Sequence, residues 1–215
     1  MASLDDIAAI VRAHFDDKNA ARERALVLSR EAIRASANAI RAVHRGEADS
    51  ADVLLEQAGR ALAEAREVLR AHPDVFYAGF VQDAQKEYVE ACATRAFIRG
   101  GELPAPDALE VDHVPYLNGL GEAVGELRRY VLDRMRLGEL AECERALGLM
   151  DEVYGLLVTM DYPDAMTGGL RRTTDLARSI LEKTRGDVTV AITQRQLEQA
   201  IEGLQKRLRI GKPCD

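Results

Sequence analysis

Apolar residues recur at intervals of three and four along almost the whole chain, the spacing that lines one face of an α-helix. From Leu4 to Arg45, Ile7, Val11, Phe15, Leu26, Ile33, Ile40 and Val43 fall in a seam roughly 100° wide, without an internal Gly or Pro, and Gly46 supplies the stop. A helix of that length predicts a bundle or an oligomer interface. A second helix is predicted from about Asp49 to Ala71, with Leu54, Leu55, Ala58, Leu62, Ala65 and Leu69 buried, ending at His72-Pro73. Pro73 favours the first turn of a third helix running to Arg99, which Gly100-Gly101 ends, and Pro104 and Pro106 keep the next connection open. From His113 to Leu137, Leu117, Leu120, Val124, Leu127, Val131 and Met135 form a tight apolar stripe. Helices are further predicted over about Glu139–Met160, Ala165–Thr184 and Asp187–Leu208. Val188 to Thr193 has strand-like composition, but Ile192, Leu197, Ile201 and Leu204 continue at helical spacing, with Asp187 as N-cap. The pattern predicts an all-α, single-domain bundle of about seven long helices over residues 1–210, followed by a loose tail over 211–215.

Composition agrees with this. The 215 residues are 47% hydrophobic but only 5% aromatic, with no Trp, so one substantial core is built mainly from Ala and Leu, which favour helices. Cys92, Cys143 and Cys214 are far apart and odd in number, as expected of free thiols in a reducing cytoplasm. The acidic start Met1 to Asp6 is unlike a signal peptide, and no run of about 18 uncharged apolar residues occurs, so a cytoplasmic location is expected. A net charge of −7 argues against a uniformly basic nucleic-acid binder. Any RNA contact must then come from a local basic patch. Arg outnumbers Lys by 24 to 5, and Arg30, Arg34, Arg41 and Arg45 form a stripe beside the seam of the first helix. That stripe reads either as a solvated flank or as a phosphate-facing strip.

One stretch departs from ordinary amphipathicity. In the third helix Glu87 and Glu90 fall within about 60° of one another, on the side that carries Phe76, Phe80, Ala91, Thr94 and Ile98, while Lys86, Gln82, Gln85 and Arg99 lie elsewhere. Two carboxylates therefore share the apolar-rich face. On the fourth helix Glu122, Glu126, Arg129 and Asp133 lie opposite the apolar stripe, where acidic residues are ordinarily just solvated. Other chemistries find less support. A ferritin-like di-iron site needs paired Glu-x-x-His motifs, and only Glu110-x-x-His113 matches, at a proline-flanked helix entrance. His14, His44, His72 and His113 are scattered, Gly168-Gly169 has no following G-K-S/T, and Cys92 has no nearby His in sequence.

Glu87-Tyr88-Val89-Glu90-Ala91, followed by Phe97-Ile98-Arg99, Tyr116-Leu117-x-Gly119 and Gly125-Glu126-Leu127, resembles the translin superfamily, specifically its Trax (translin-associated factor X) branch. Arg22-Glu23-x-x-Leu26-x-Leu28-Ser29-Arg30, with His44 at the helix end, resembles the first Trax helix. Leu170-Arg171-Arg172-x-x-Asp175-x-Ala177-Arg178 resembles a late helix that packs at subunit contacts in both translin and Trax. The resemblance implies an all-helical, metal-dependent endoribonuclease acting on single-stranded RNA, with Glu87, Glu90 and Glu122 catalytic and Glu87, Glu90, Glu122 and Glu126 holding Mg²⁺ or Mn²⁺. Glu122 stands where Trax proteins carry Asp, and this longer side chain alters metal distance. Arg129 matches a basic family position, and with Arg30, Arg34 and Arg41 it is expected to bind RNA. The family's barrel-shaped octamers imply a homo-octamer, or an assembly with a translin-like partner.

The physics of such a site is simple. Carboxylates at i and i+3 or i+4 have Cβ atoms about 5–6 Å apart, so Glu87/Glu90 and Glu122/Glu126 are two pincers that converge if their helices pack side by side. Like charges about 4 Å apart repel by about 4 kcal/mol at an effective dielectric of about 20, so four carboxylates require protons or a cation. The non-catalytic alternative is a translin-like module that holds single-stranded RNA or DNA. A purely structural bundle would instead neutralise Glu87 and Glu90 with arginines from neighbouring helices.

Overall fold

The computed structural model describes residues 3–210, so the expected loose tail at 211–215, with Cys214, lies outside the described residues. Among those residues are nine helices and no strand: α1 Leu4–Arg45, α2 Ala48–Val68, α3 Pro73–Phe76, α4 Phe80–Arg99, α5 Pro106–Leu109, α6 His113–Arg136, α7 Leu140–Val158, α8 Asp164–Thr167 and α9 Leu170–Ile210. None of the described helices is long and apolar enough to cross a membrane.

The first helix opens on a reciprocal cap. Ser3 Oγ accepts the Asp6 N–H at 3.1 Å, and Asp6 Oδ2 accepts the Ser3 N–H at 2.9 Å. Gly46 closes α1 in the left-handed region at φ 78°, where a glycine costs nothing. The buried face of α1 is finer-grained than its large residues predict: Ala25, Ser29, Ala32, Ala35, Ser36, Ala39 and Ala42 are buried with Leu28, Ile40 and Val43. These small side chains let α2 and α4 pack closely, through Leu55, Ala58, Leu62 and Ala84. The seam fails at its start, because Ile7, Val11 and Phe15 are exposed together with Leu4 and Ile10. Among the described residues nothing buries these five side chains.

The larger core joins α4, α6, α7 and α9, with Val89, Phe97, Leu120, Val124, Leu127, Met150, Leu157 and Leu181 at its centre. Thus α4 packs on α1 and α2 on one side and on α6 on the other. It is buried around much of its circumference, at Val81, Ala84, Gln85, Val89, Ala91, Cys92, Ala93, Ala96 and Phe97. The strip of α4 left partly open carries Asp83, Lys86, Glu87 and Glu90, so in the fold the two glutamates stand on the polar side of the helix and not on the apolar face that the pattern assigned to them.

Three boundaries differ from the sequence pattern. The predicted third helix is two, because Tyr77 to Gly79 interrupt it; Gly79 takes φ 107°, and its N–H is accepted by Gln82 Oε1 at 3.2 Å. Phe76 therefore sits on α3 and not on the face of the carboxylates. The helix predicted from Ala165 breaks at Gly168 and Gly169, φ 55° and 82°. Its remainder continues without a break past Thr184 through Asp187, since Ala177, Leu181, Thr184 and Val188 keep one buried face in register. Asp187 is no N-cap; its Oδ2 lies 2.8 Å from Arg128 Nη2 on α6. The far end of α9 again leaves apolar side chains uncovered, at Val190, Leu197, Ile201 and Leu204.

The contact between α4 and α6 depends on one missing side chain. A Cβ at Gly119 would lie 2.6 Å from the Lys86 carbonyl oxygen and 2.8 Å from Val89 Cβ. We expect Gly119→Ala to lower unfolding stability by about 1–3 kcal/mol through overpacking, although Ala is the better helix former. Gly148→Ala on α7, where a Cβ meets nothing within 4 Å, should instead gain up to about 1 kcal/mol in the same urea titration.

Candidate metal centre

Because α6 lies so close to α4 at Gly119, the residue one turn further on, Glu122, faces the carboxylates of α4. One oxygen each of Glu87, Glu90 and Glu122 lies within 4.8 Å of the others. All three are half-buried, and together they are the one such group of His, Cys, Asp or Glu ligands among the described residues. Lys86 donates from Nζ to Glu122 Oε1 at 2.7 Å. Glu126, on the next turn of α6, stands apart from the trio, with its Oε2 2.6 Å from His44 Nε2. Arg129 reaches the same Oε2 at 3.7 Å from a largely exposed position. The structure thus brings three of the four expected ligands together and gives the fourth a partner at the end of α1.

His44 is the residue that pattern reasoning passed over, grouped with the scattered histidines. Its side chain is only 4% exposed. The available signal was its place in the last turn of α1, where a helix end can reach a neighbouring element.

The electrostatics separate these acids. Burial pushes Glu90 up to about 8, reinforced by the charges of Glu122, Glu87 and Glu126 and only partly relieved by Lys86. Burial likewise raises Glu87, with Glu122 and Asp83 adding to it. Glu126 moves the other way, held down by its hydrogen bond to His44 and then, against the cost of burial, by the charges of His44 and Arg129. Burial disfavours the Lys86 ammonium, but Glu122, Glu87 and Asp83 together outweigh it and hold its pKa above the ordinary value. Among the described residues no arginine forms an ion pair with Glu87 or Glu90; one ammonium, Lys86, stands against the trio with Asp83 and Glu126 close enough to add to its charge. This all-oxygen donor set fits a hard divalent cation such as Mg²⁺ or Mn²⁺.

The arginines expected to bind RNA stand separately. Arg30, Arg34 and Arg41 are exposed on α1; Arg41 donates to Asn38 Oδ1, and Arg30 and Arg34 have no ion-pair partner among the described residues. None of the three is hydrogen-bonded to the carboxylates.

Comparison with known proteins places this geometry in context. No family model matches the chain. The uncharacterized protein MJ0175 of Methanocaldococcus jannaschii is 31% identical over 212 residues, covering 97% of this chain and 91% of that protein. Among solved structures, AfC3PO in complex with duplex RNA superposes with TM-score 0.79 and 34% identity, covering 88% of this chain and 98% of that one. The crystal structure of AfC3PO gives 0.80 at 33% identity, with 88% and 98% covered. Apo-NeC3PO, at 21% identity and TM-score 0.78 over 89% of this chain and all of that one, shares the fold.

The raised pKa of Glu90 has a definite sign in stability. Below its ordinary value of 4.5 the residue is protonated in both folded and unfolded chains. Between there and about 8 the unfolded chain releases a proton that the folded chain keeps, so metal-free stability falls as pH rises and levels off beyond. Thermal unfolding of wild type against Glu90→Gln should show this decline flattened in the variant, and Mg²⁺ should stabilise wild type more at pH 8 than at pH 5. Parallel profiles would contradict the assignment.

Proposed function

The chain belongs to the translin superfamily, and within it we propose that it is a divalent-metal-dependent endoribonuclease of the Trax kind. The observation that carries this reading is the trio Glu87, Glu90 and Glu122, with oxygens within 4.8 Å and no arginine to neutralise it. Such a cluster is costly unless a cation or protons compensate, and perturbed carboxylates in this arrangement are what a metal-assisted hydrolase requires. Glu87, Glu90 and Glu122 would hold Mg²⁺ or Mn²⁺, and Glu126, tied to His44, would join them or orient the group next to them. When bound, the ion acidifies a water and offsets the charge of the phosphodiester.

The chain's own groups do the rest. One ionised carboxylate of the trio would orient the attacking water and receive its proton as the new bond to phosphorus forms, while the bond to the ribose oxygen breaks and that oxygen takes a proton from solvent. Lys86 Nζ, 2.7 Å from Glu122, is positioned to exchange that carboxylate for a phosphoryl oxygen of the substrate. RNA as ligand is supported by the complex of AfC3PO with duplex RNA. Cleavage is assigned to single-stranded RNA or to RNA with single-stranded character. Arg30, Arg34, Arg41 and Arg129 carry the flanking phosphates, and their placement away from the acidic trio lets a chain of net charge −7 hold a polyanion. Uncovered apolar side chains at both overhanging ends, Ile10 and Phe15 on α1 and Leu197 and Leu204 on α9, support extensive subunit contact.

The second reading is a translin-like binder of single-stranded RNA or DNA that does not cut. It is favoured by the Lys86–Glu122 pair, which supplies part of the missing positive charge without any metal. Cleavage of a short labelled single-stranded RNA in Mg²⁺ separates the two. Glu87→Gln, Glu90→Gln and Glu122→Gln should each lower the cleavage rate by at least about 100-fold with RNA affinity and helix content kept, and a chelator should silence wild type. Full activity in Glu90→Gln would remove the trio as the active centre. Light scattering should give eight chains of 23.7 kDa, about 190 kDa; a monomer at micromolar concentration would exclude the octamer.

A further inference from the structure

A cleft of about 590 Å³ opens directly off the carboxylate trio, with Lys86 and Glu122 in its wall. It runs from the break between α3 and α4 to the start of α9. That volume lies within the range of small-molecule sites, about 300–1,000 Å³. At its outer edge stands Tyr77, 67% exposed, whose ring packs edge-on against buried Phe76 at 4.9 Å between centroids. An aromatic ring this exposed has surface left on which a base can stack. Val114 and Pro115 supply apolar wall.

One cation in the lining has no partner: Arg172, at the α9 end of the cleft, is exposed and forms no ion pair among the described residues. An exposed aromatic ring and a guanidinium without an ion-pair partner among the described residues, adjoining a centre that would hold a phosphodiester, are complementary to one nucleotide.

We propose that the cleft between Tyr77 and Arg172 receives the unpaired base of the nucleotide next to the scissile phosphate. The base stacks on Tyr77, and Arg172 meets the following phosphate. This rests on the ribonuclease reading and adds to it a reason for strand selectivity: a base held in a duplex cannot enter, so duplex RNA is cut only where a base leaves the stack. Stacking supplies the affinity, which makes the subsite tolerant of base identity.

The test is a cycle between protein and RNA. Binding and Mg²⁺-dependent cleavage are measured for a single-stranded oligoribonucleotide and for copies carrying one abasic nucleotide at successive positions. Wild type should lose about 5- to 100-fold in affinity at one abasic position beside the cut, the range that removal of one stacked base gives. Tyr77→Ala should lose a similar factor on intact RNA and nothing more on that abasic copy, and Tyr77→Phe, which keeps the ring, should recover most of the loss. Arg172→Ala should lower affinity and flatten its salt dependence, with the abasic penalty unchanged. Equal abasic penalties in wild type and Tyr77→Ala, or wild-type affinity in Tyr77→Ala, would overturn the subsite. RNA that binds without being cut would sink the hydrolase reading and leave this coupling to decide the subsite, whereas failure to bind RNA at all would overturn both.

Discussion

Like-charge crowding between α4 and α6 is the constraint on which the rest of this structure depends. Glu87, Glu90 and Glu122 are brought within 4.8 Å by helix packing that is itself apolar, with Val89, Leu120 and Val124 in the shared core and Gly119 leaving room for the Lys86 carbonyl. At about 4 Å and an effective dielectric of about 20, each ionised pair costs about 4 kcal/mol, so the core must outweigh the repulsion that it creates. The protein answers with a single ammonium, Lys86, and with a proton on Glu90, whose pKa is pushed up to about 8. On the metal-dependent reading proposed above, a divalent ion would take over both roles.

The same packing organises what lies around the trio. α1 lends its last turn to the centre through His44, which holds Glu126 ionised a turn away from the raised acids. Glu126 and Glu90 are thus two carboxyls in one neighbourhood driven in opposite directions, Glu90 by burial and like charge, Glu126 by a buried histidine partner. On the other side, the interruption at Tyr77 to Gly79 places an exposed aromatic ring in the lining of the cleft beside Lys86 and Glu122.

Much of this was legible in the residue pattern. The all-α fold and the boundaries of α1 and α6 followed from apolar spacing and from the stops at Gly46 and near Leu137. The pairing of Glu87 with Glu90 was visible from their i, i+3 spacing, although the face they share is a partly open strip with Asp83 and Lys86 and not the apolar one. What the pattern could not reveal was tertiary. Periodicity assigns Ile7, Val11 and Phe15 to a buried seam, yet burial is decided by what lies opposite, and there α1 has outrun the bundle. Gly79 and Gly186 are the same residue type, but the first takes φ 107° and breaks a helix while the second lies inside one, because Thr184 and Val188 on either side of it are already buried. The His44–Glu126 contact joins residues 82 positions apart, and no local rule pairs them.

The most direct measurement is anomalous diffraction at the manganese edge from crystals grown with Mn²⁺. A peak enclosed by the carboxylates of Glu87, Glu90 and Glu122, with Lys86 displaced from Glu122, is the expected result. Crystals that show no anomalous density between α4 and α6, with Lys86 still bonded to Glu122 at millimolar Mn²⁺, would contradict a metal centre at this site.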